Sequence, residues 1–471
     1  MNRIETDICV IGGGSGGLSV AAGAVQMGAR VVLVEGAKMG GDCLNHGCVP
    51  SKALIAAAHR AHAMSGGFGI AAQPAVVDFG AVKDHVAQVI AGIAPHDSVE
   101  RFSGLGVRVI EAFGRFTGPT TLEAGGHEIT ARRFVVATGS APFVPPIPGL
   151  GDVPYLTNET LFEAREKPDH LLVIGGGPIG LEMAQAHRRL GCEVTVIEAQ
   201  RAMGRDDPEV AATVIEALRA EGVRILEETA AQSVSGRAGA ITVQLGDGAA
   251  VTGTHLLVAV GRKPNVEGLG LDAAGIAFGP RGIKVNDALR STNRRVYAIG
   301  DVAGREQFTH VAGYHAGIVI RSAVLGLPAR VRKDHIPRVT FTDPELAHVG
   351  LTEAEARKAH GAHALQIVRF SYSENDRARA TGQTGGMVKV MVARGRPVGV
   401  SIVGAQAGEL IGPWALAIAN KLKMGAMAST VLPYPTLGEV NKRAAGAYFS
   451  PKLFDNPMLK RVVRFVQKVL P

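Results

Sequence analysis

IGGGSGGLSVAAGAVQMGARVVLVE (residues 11–35) and IGGGPIGLEMAQAHRRLGCEVTVIE (residues 174–198) align without a gap, at an offset of 163 residues. Each copy follows an apolar strand (DICVIG or LLVIG), turns on glycines, runs into a helical stretch closed by Gly28 or Gly191, and ends in a β-branched strand, RVVLVE or EVTVIE. The pattern passes from strand to helix and back to strand, which is the signature of a βαβ unit. Gly12, Gly14 and Gly17 in the first copy, and Gly175, Gly177 and Gly180 in the second, fit G-x-G-x-x-G. Missing side chains there allow the tight turn, the approach of a pyrophosphate to a helix N-terminus, and the packing of helix on strand. Glu35 and Glu198 end the second strands, where a carboxylate accepts hydrogen bonds from ribose hydroxyls. A lone glycine turn is weak evidence. Two of them in one setting, each with its acid, predict two dinucleotide sites and electron transfer between them. At Glu198 a carboxylate repels a 2′-phosphate, and only Arg201 nearby offers counter-charge, so NADH is expected ahead of NADPH.

The rest of the chain agrees with a multidomain α/β protein. Its 471 residues, 46% of them apolar, with 61 glycines and 24 prolines, are enough for several cores joined by many tight turns. A net charge of +8 without a Lys/Arg block or interleaved aromatics gives no nucleic-acid footprint. Glu5 and Asp7 interrupt the first apolar run, so neither a secretion signal nor a span of about 20 apolar residues is expected and the cytoplasm is the default.

GGDCLNHGCVPSK (residues 40–52) holds two of the four cysteines, the others being Cys9 and Cys192. A close pair in a reducing compartment points to redox or metal chemistry rather than a disulfide scaffold. On an ideal helix, residues five apart have Cα atoms roughly 8 to 9 Å apart, too far for a disulfide, which needs about 4.4 to 6.8 Å. Asn45 and Gly47 tolerate tight non-helical backbone, and Pro50 suits the first turn of a helix beginning near Cys48. Cys48 then sits at a positive helix end, which favours thiolate. Two buried free thiols remain the bland alternative. A zinc site lacks ligands, since Cys9 falls in a core strand, Cys192 follows the second βαβ helix, and His46 is a single loop imidazole.

CLNHGCVPSK resembles the redox-active segment of the class I pyridine nucleotide-disulfide oxidoreductases, which include dihydrolipoamide dehydrogenase, glutathione reductase and mercuric reductase. The resemblance runs along nearly the whole chain. ATGSAP (residues 137–142) and AVGRKPN (residues 259–265) resemble the segments closing the two nucleotide-binding domains, YAIGDVAG (residues 297–304) the flavin motif, and FTDPELAHVGLTEAEA (residues 341–356) the start of the dimerisation domain. Thr352 and Glu355 also form a capping box. The resemblance implies FAD on Gly12, Gly14, Gly17 and Glu35, with Gly114, Thr138, Gly139 and Asp301 in the same site, and NADH on Gly175, Gly177, Gly180, Glu198 and Gly261. It implies a Cys43–Cys48 redox disulfide, with Cys48 facing the flavin and Cys43 as interchange thiol. It places Lys52 near the flavin ring, partnered by Glu182, and makes the protein a homodimer whose active site is shared between subunits. The division it suggests is an FAD domain (1–147), an NAD(P)H domain (148–267), a return to the FAD domain (268–336) and an interface domain (337–471).

Disulfide reductases of this family carry His-Pro-Thr-x-x-Glu in the C-terminal domain; this chain has Tyr434, Pro435, Thr436 and Glu439. Imidazole titrates near pH ~6.5 and exchanges protons at neutrality, whereas phenol, at ~10, is a donor and a poor base. A tyrosine there is similar to mercuric reductase, and a metal ion, quinone or small electrophile is expected as acceptor. No cysteine follows Cys192 to supply that enzyme's C-terminal thiol pair. Dihydrolipoamide dehydrogenase, with His310 or His315 standing in for the missing base, is the alternative, and a flavin-bearing sensor with little turnover is another. Asp42, where the family commonly has threonine, is expected to raise the Cys43 pKa and to favour a cation. Finally, NPMLKRVVRFVQKVLP (residues 456–471) reads as a basic amphipathic helix capped by Asn456 and Pro457. Such a helix suits an anionic membrane surface, although packing within the dimer is the plainer expectation.

Overall fold

A computed structural model describes residues 2–470, so the outermost ends of the first and last expected domains, Met1 and Pro471, lie outside the described residues. The chain divides into two compact units, one running up to Ala199 and resuming over Leu226–Arg332, the other formed by Gln200–Ile225 and the chain from Lys333 onward.

The first unit holds both copies of the repeat. Strands Arg108–Glu111, Val31–Glu35, Asn2–Ile11 and His127–Val136 lie side by side, and the order is parallel throughout. Val296–Ala298 joins the far end of His127–Val136, also in parallel, so the chain beyond residue 268 returns to the first sheet. Strand Val31–Glu35 is buried almost along its length, as expected of a strand covered on both faces, and its continuous Val/Leu run reflects this. In the second copy Glu193–Ile197, His170–Ile174 and His255–Val258 form the parallel core, with a three-stranded antiparallel meander over residues 231–253.

The two glycine turns repeat in space as they do in sequence. Gly12 and Gly175 take φ of +111° and +116°, and a Cβ on either would strike the carbonyl of Ala137 or Ala259. Those two residues donate back to Ile11 and Ile174 at 2.7 and 2.8 Å. A Cβ on Gly17 or Gly180 would collide with the oxygen of the first glycine of its own turn. Strand end, turn and helix are thus locked together at backbone contact distance, which only glycine permits.

The second unit is a five-stranded antiparallel sheet in the order Pro337–Thr340, Glu345–Gly350, Arg396–Gly404, Met387–Ala393, Leu365–Ser371. Helices cover its core, and Trp414 is fully buried there, its indole donating to Asn441 Oδ1 at 2.8 Å. The mixed α/β class expected from the sequence is the class observed.

Candidate active site

The cysteine segment is built from two helices meeting at a break. Gly40, with φ +86°, opens a short helix Gly41–Asn45, which His46 ends; Gly47, at φ −127° and ψ −111°, then turns the chain into helix Cys48–His62. Cys43 therefore sits inside a short helix. The kink demanded by the spacing lies at residues 46–47. Asn45 secures the first helix by donating to Met39 and Gly41 carbonyls at 3.1 and 2.9 Å.

Cys43 and Cys48 are free thiols, and each perturbs the other. Cys48 is the first residue of its helix, with Thr309 Oγ1 3.2 Å from its Sγ. Its pKa is lowered to about 6, chiefly by a hydrogen bond from Cys43, against the opposing effect of burial, with Thr309 and the charge of Lys52 assisting. Cys43 is pushed up in return, by that same hydrogen bond and by burial. Burial alone pushes the Cys9 thiol up, and it is also the main cause of the rise of Cys192 to about 11. Among the described residues, then, one thiol is poised as thiolate near neutrality and it is Cys48. No group of three or more potential metal ligands occurs among the described residues.

Lys52 lies one turn beyond Cys48 and donates to Glu182 Oε2 at 2.8 Å, the carboxylate being buried in helix Pro178–Arg189 of the second repeat. The pairing expected between these side chains is present. Arg262 Nη2 stands 3.2 Å from Asp42 Oδ1, and Asn158 donates to the same oxygen at 3.0 Å. The Asp42 charge opposes the thiolate at Cys48. Arg262 also donates to the Ser140 hydroxyl and carbonyl, each at 2.7 Å, and Ser140 donates to Asp301 at 2.6 Å. Burial raises the pKa of Asp301 against the hydrogen bond from Ser140 and the charge of Arg262. Thr309 and Asn158 lie outside the motifs of the sequence, and Ser140 and Arg262 lie inside two of them with no role that the motif itself assigns. Thr309 is 261 positions from its partner, and no local spacing announces such a contact.

The residues present fit a dinucleotide in each repeat. The middle glycines differ from their neighbours: beyond Gly177 a Cβ would meet nothing within 4 Å, and at Gly14 only a Gly41 Cα at 3.8 Å. That leaves room above a helix N-terminus for a phosphate. Gly139 and Gly261, at φ +68° and +131°, also face open space. Glu35 accepts from the Gly13 and Ala37 amides, the latter at 2.6 Å, and Glu198 from the Gly176 amide at 2.7 Å, so each acid reaches back over its own turn. Thr138 is tied to Asn265, its hydroxyl donating at 2.8 Å and its carbonyl accepting at 2.9 Å. Gly114 has a packing reason, since a Cβ there would press on Leu122 and Val34 at 3.1 and 3.2 Å.

In the second unit Tyr434 is 67% exposed, and its hydroxyl donates to Asp376 at 2.8 Å. That bond holds the phenol above its ordinary pKa. Glu439 opens helix Glu439–Ala447, and its Oε2 is buried without a partner among the described residues.

Residues 6–316 match the family described as pyridine nucleotide-disulphide oxidoreductase, and residues 336–445 match its dimerisation domain. The chain belongs to this family. As a family member it is a flavoprotein oxidoreductase, and the second match supports a homodimer. It is 36% identical to a mercuric reductase of Streptomyces lividans over 94% of this chain and 96% of that one. It is 37% identical to a dihydrolipoyl dehydrogenase of Thermus scotoductus over 94% and 97%. Among solved structures, the HOCl-induced flavoprotein disulfide reductase RclA of Escherichia coli, as a Cu(II) complex, superposes with a TM-score of 0.84 at 28% identity, covering 93% of this chain and 99% of that one. LpdA of Mycobacterium tuberculosis gives 0.84 at 28%, covering 95% and 99%. In this oxidoreductase no helix among the described residues is long and apolar enough to cross a membrane.

Proposed function

We propose that the protein is a homodimeric, NADH-dependent reductase that sends electrons through FAD to a Cys43–Cys48 couple and on to an acceptor of the mercuric reductase kind: a soft metal ion, a quinone or a small electrophile. FAD, when bound, supplies the two-electron relay between nicotinamide and sulfur. The chain's own groups do the rest. Gly12, Gly14, Gly17, Glu35, Thr138, Gly139 and Asp301 hold the FAD side, while Gly175, Gly177, Gly180, Glu198 and Gly261 hold the nicotinamide side. Lys52 and Glu182 form a charged pair beside Cys48, and a pair of this kind is far less costly than either charge alone. Cys48 holds charge at its sulfur. Cys43, kept protonated, is the thiol that meets the acceptor after losing its proton. In this division, domain edges fall near residues 147, 267 and 336.

The observation that carries the acceptor class is Tyr434. Where a thiol-disulfide reductase of this family needs a histidine, the chain has a phenol whose proton is committed to Asp376. Loss of a positioned acid-base group costs about a hundredfold to ten-thousandfold, which disfavours an acceptor whose thiol leaving group must be protonated. His315 does not replace it, being fully buried, accepting from the Gly300 amide at 3.2 Å, and lowered to about 4, chiefly by burial. The Thermus relative favours dihydrolipoamide dehydrogenase as the second reading. Steady-state assays of FAD-loaded protein with NADH decide between them. We expect turnover with quinone or a soft metal ion and little with lipoamide; a lipoamide rate of order 100 per second supports the second reading instead. Cys43→Ser is expected to abolish acceptor reduction while leaving NADH binding intact.

A further inference from the structure

The C-terminal helix Pro457–Val469 has no buried residue. It is nevertheless a well-started helix, since Asn456 Oδ1 accepts from the Met458 and Leu459 amides at 3.0 and 3.2 Å and proline follows at the first helical position. At about 100° per residue, Met458, Leu459, Val462, Phe465, Val466 and Val469 fall on one continuous face. Lys460, Arg461, Arg464 and Lys468 fall with Gln467 on the opposite one, and the helix contains no acid. The apolar face stands in the open, with Phe465 65% exposed, and Leu453 and Phe454 of the preceding short helix Ser450–Phe454 are exposed as well.

A helix with both faces solvated gains nothing from such complete segregation. We propose that it lies in the surface of an anionic lipid bilayer, apolar face down and basic face toward the headgroups, docking the protein on the membrane without crossing it. Charge complementarity selects this occupant. A basic, acid-free helix is drawn to anionic headgroups, which supply both an apolar layer for one face and counter-charge for the other, whereas a second copy of the helix covers the apolar face and offers the basic face no counter-charge. The match to the dimerisation domain also ends at residue 445, before the helix begins. The inference stands apart from the identity of the electron acceptor.

The test is co-sedimentation of full-length, FAD-loaded protein with phosphatidylglycerol/phosphatidylcholine vesicles and with pure phosphatidylcholine vesicles. We expect binding to the mixed vesicles at least tenfold stronger than to the neutral ones, and release by high salt. Val462→Glu/Phe465→Glu and, separately, Lys460→Glu/Arg464→Glu each lower it at least tenfold, with FAD content and NADH–ferricyanide turnover unchanged. Equal sedimentation of native and altered protein overturns the proposal, as does equal affinity for both vesicle types. Conversion of a dimer to a monomer by Val462→Glu/Phe465→Glu in sedimentation velocity also overturns it, and assigns the face to a second copy.

Discussion

Cys48 lies under opposed influences: burial and the Asp42 carboxylate disfavour its thiolate, while Cys43, Thr309 and Lys52 favour it, and the balance brings the pKa to about 6. The thiolate therefore predominates above that value and is lost as pH falls through it. Iodoacetamide labelling of the reduced protein is expected to modify Cys48 with a midpoint near pH 6, and Cys43 only at far higher pH. Thr309→Val removes one hydrogen bond to a charged sulfur. At about 1.5 kcal/mol for such a bond, and about 1.4 kcal/mol per pKa unit, the midpoint rises by roughly one unit; an unmoved midpoint denies Thr309 its role. At this scale, the residues bearing the chemistry could be picked out of the sequence because their motif is short and contiguous. Lys52 and Glu182 could be paired by resemblance. The groups that tune Cys48 and neutralise Asp42, namely Thr309, Arg262 and Asn158, could not, because tertiary folding alone brings them there.

The glycine turns and the capping box of Thr352 and Glu355, whose side chain returns to the Thr352 amide at 2.8 Å, are written in local spacing, and both appear where the sequence placed them. The short helix Gly41–Asn45 was not legible, since five residues containing glycine and asparagine carry no helical period. Nor was the ion cluster in the second unit. There Lys389, 3% exposed and placed mid-strand, donates to both oxygens of Asp207 at 2.9 Å and lies 2.7 Å from Glu209 and Glu353. Asp207 caps helix Pro208–Ala220, so the lysine fastens that helix to the sheet. Removing one partner from a buried charge group costs about 3 to 5 kcal/mol, and Glu209 and Glu353, being partly solvated, soften this to about 3. Lys389→Met is therefore expected to lower the melting temperature of the second unit by several degrees. Adding Asp207→Asn, which removes the charge left buried and keeps a helix-capping side chain, should return part of the loss; a melting curve unaffected by Lys389→Met contradicts the assignment.

Over the whole molecule, three histidines, His187, His315 and His348, are buried and held near pKa 4, mainly by burial. Nε2 of His187 and of His315 has no partner among the described residues, so a proton added there is left without an acceptor. Because the unfolded chain takes up those protons near pH 6.5, the stability these neutral rings contribute is fully present above that value. It is lost as pH falls toward 4, at roughly 3 kcal/mol per ring. Acid unfolding followed by circular dichroism should therefore set in between these limits, and His348→Gln should shift its onset downward. Fold class and family could be read at this scale because a duplicated unit constrains most of the chain, whereas the acceptor could not, since it depends on a few side chains around one pair of sulfurs. That pair gives the most direct test. Air-oxidised, FAD-loaded protein is alkylated before and after anaerobic NADH, and each cysteine is read by mass spectrometry: the account predicts that Cys43 and Cys48 resist labelling before NADH and both label after it. Labelling of both before any reductant, or no change on adding NADH, would contradict it.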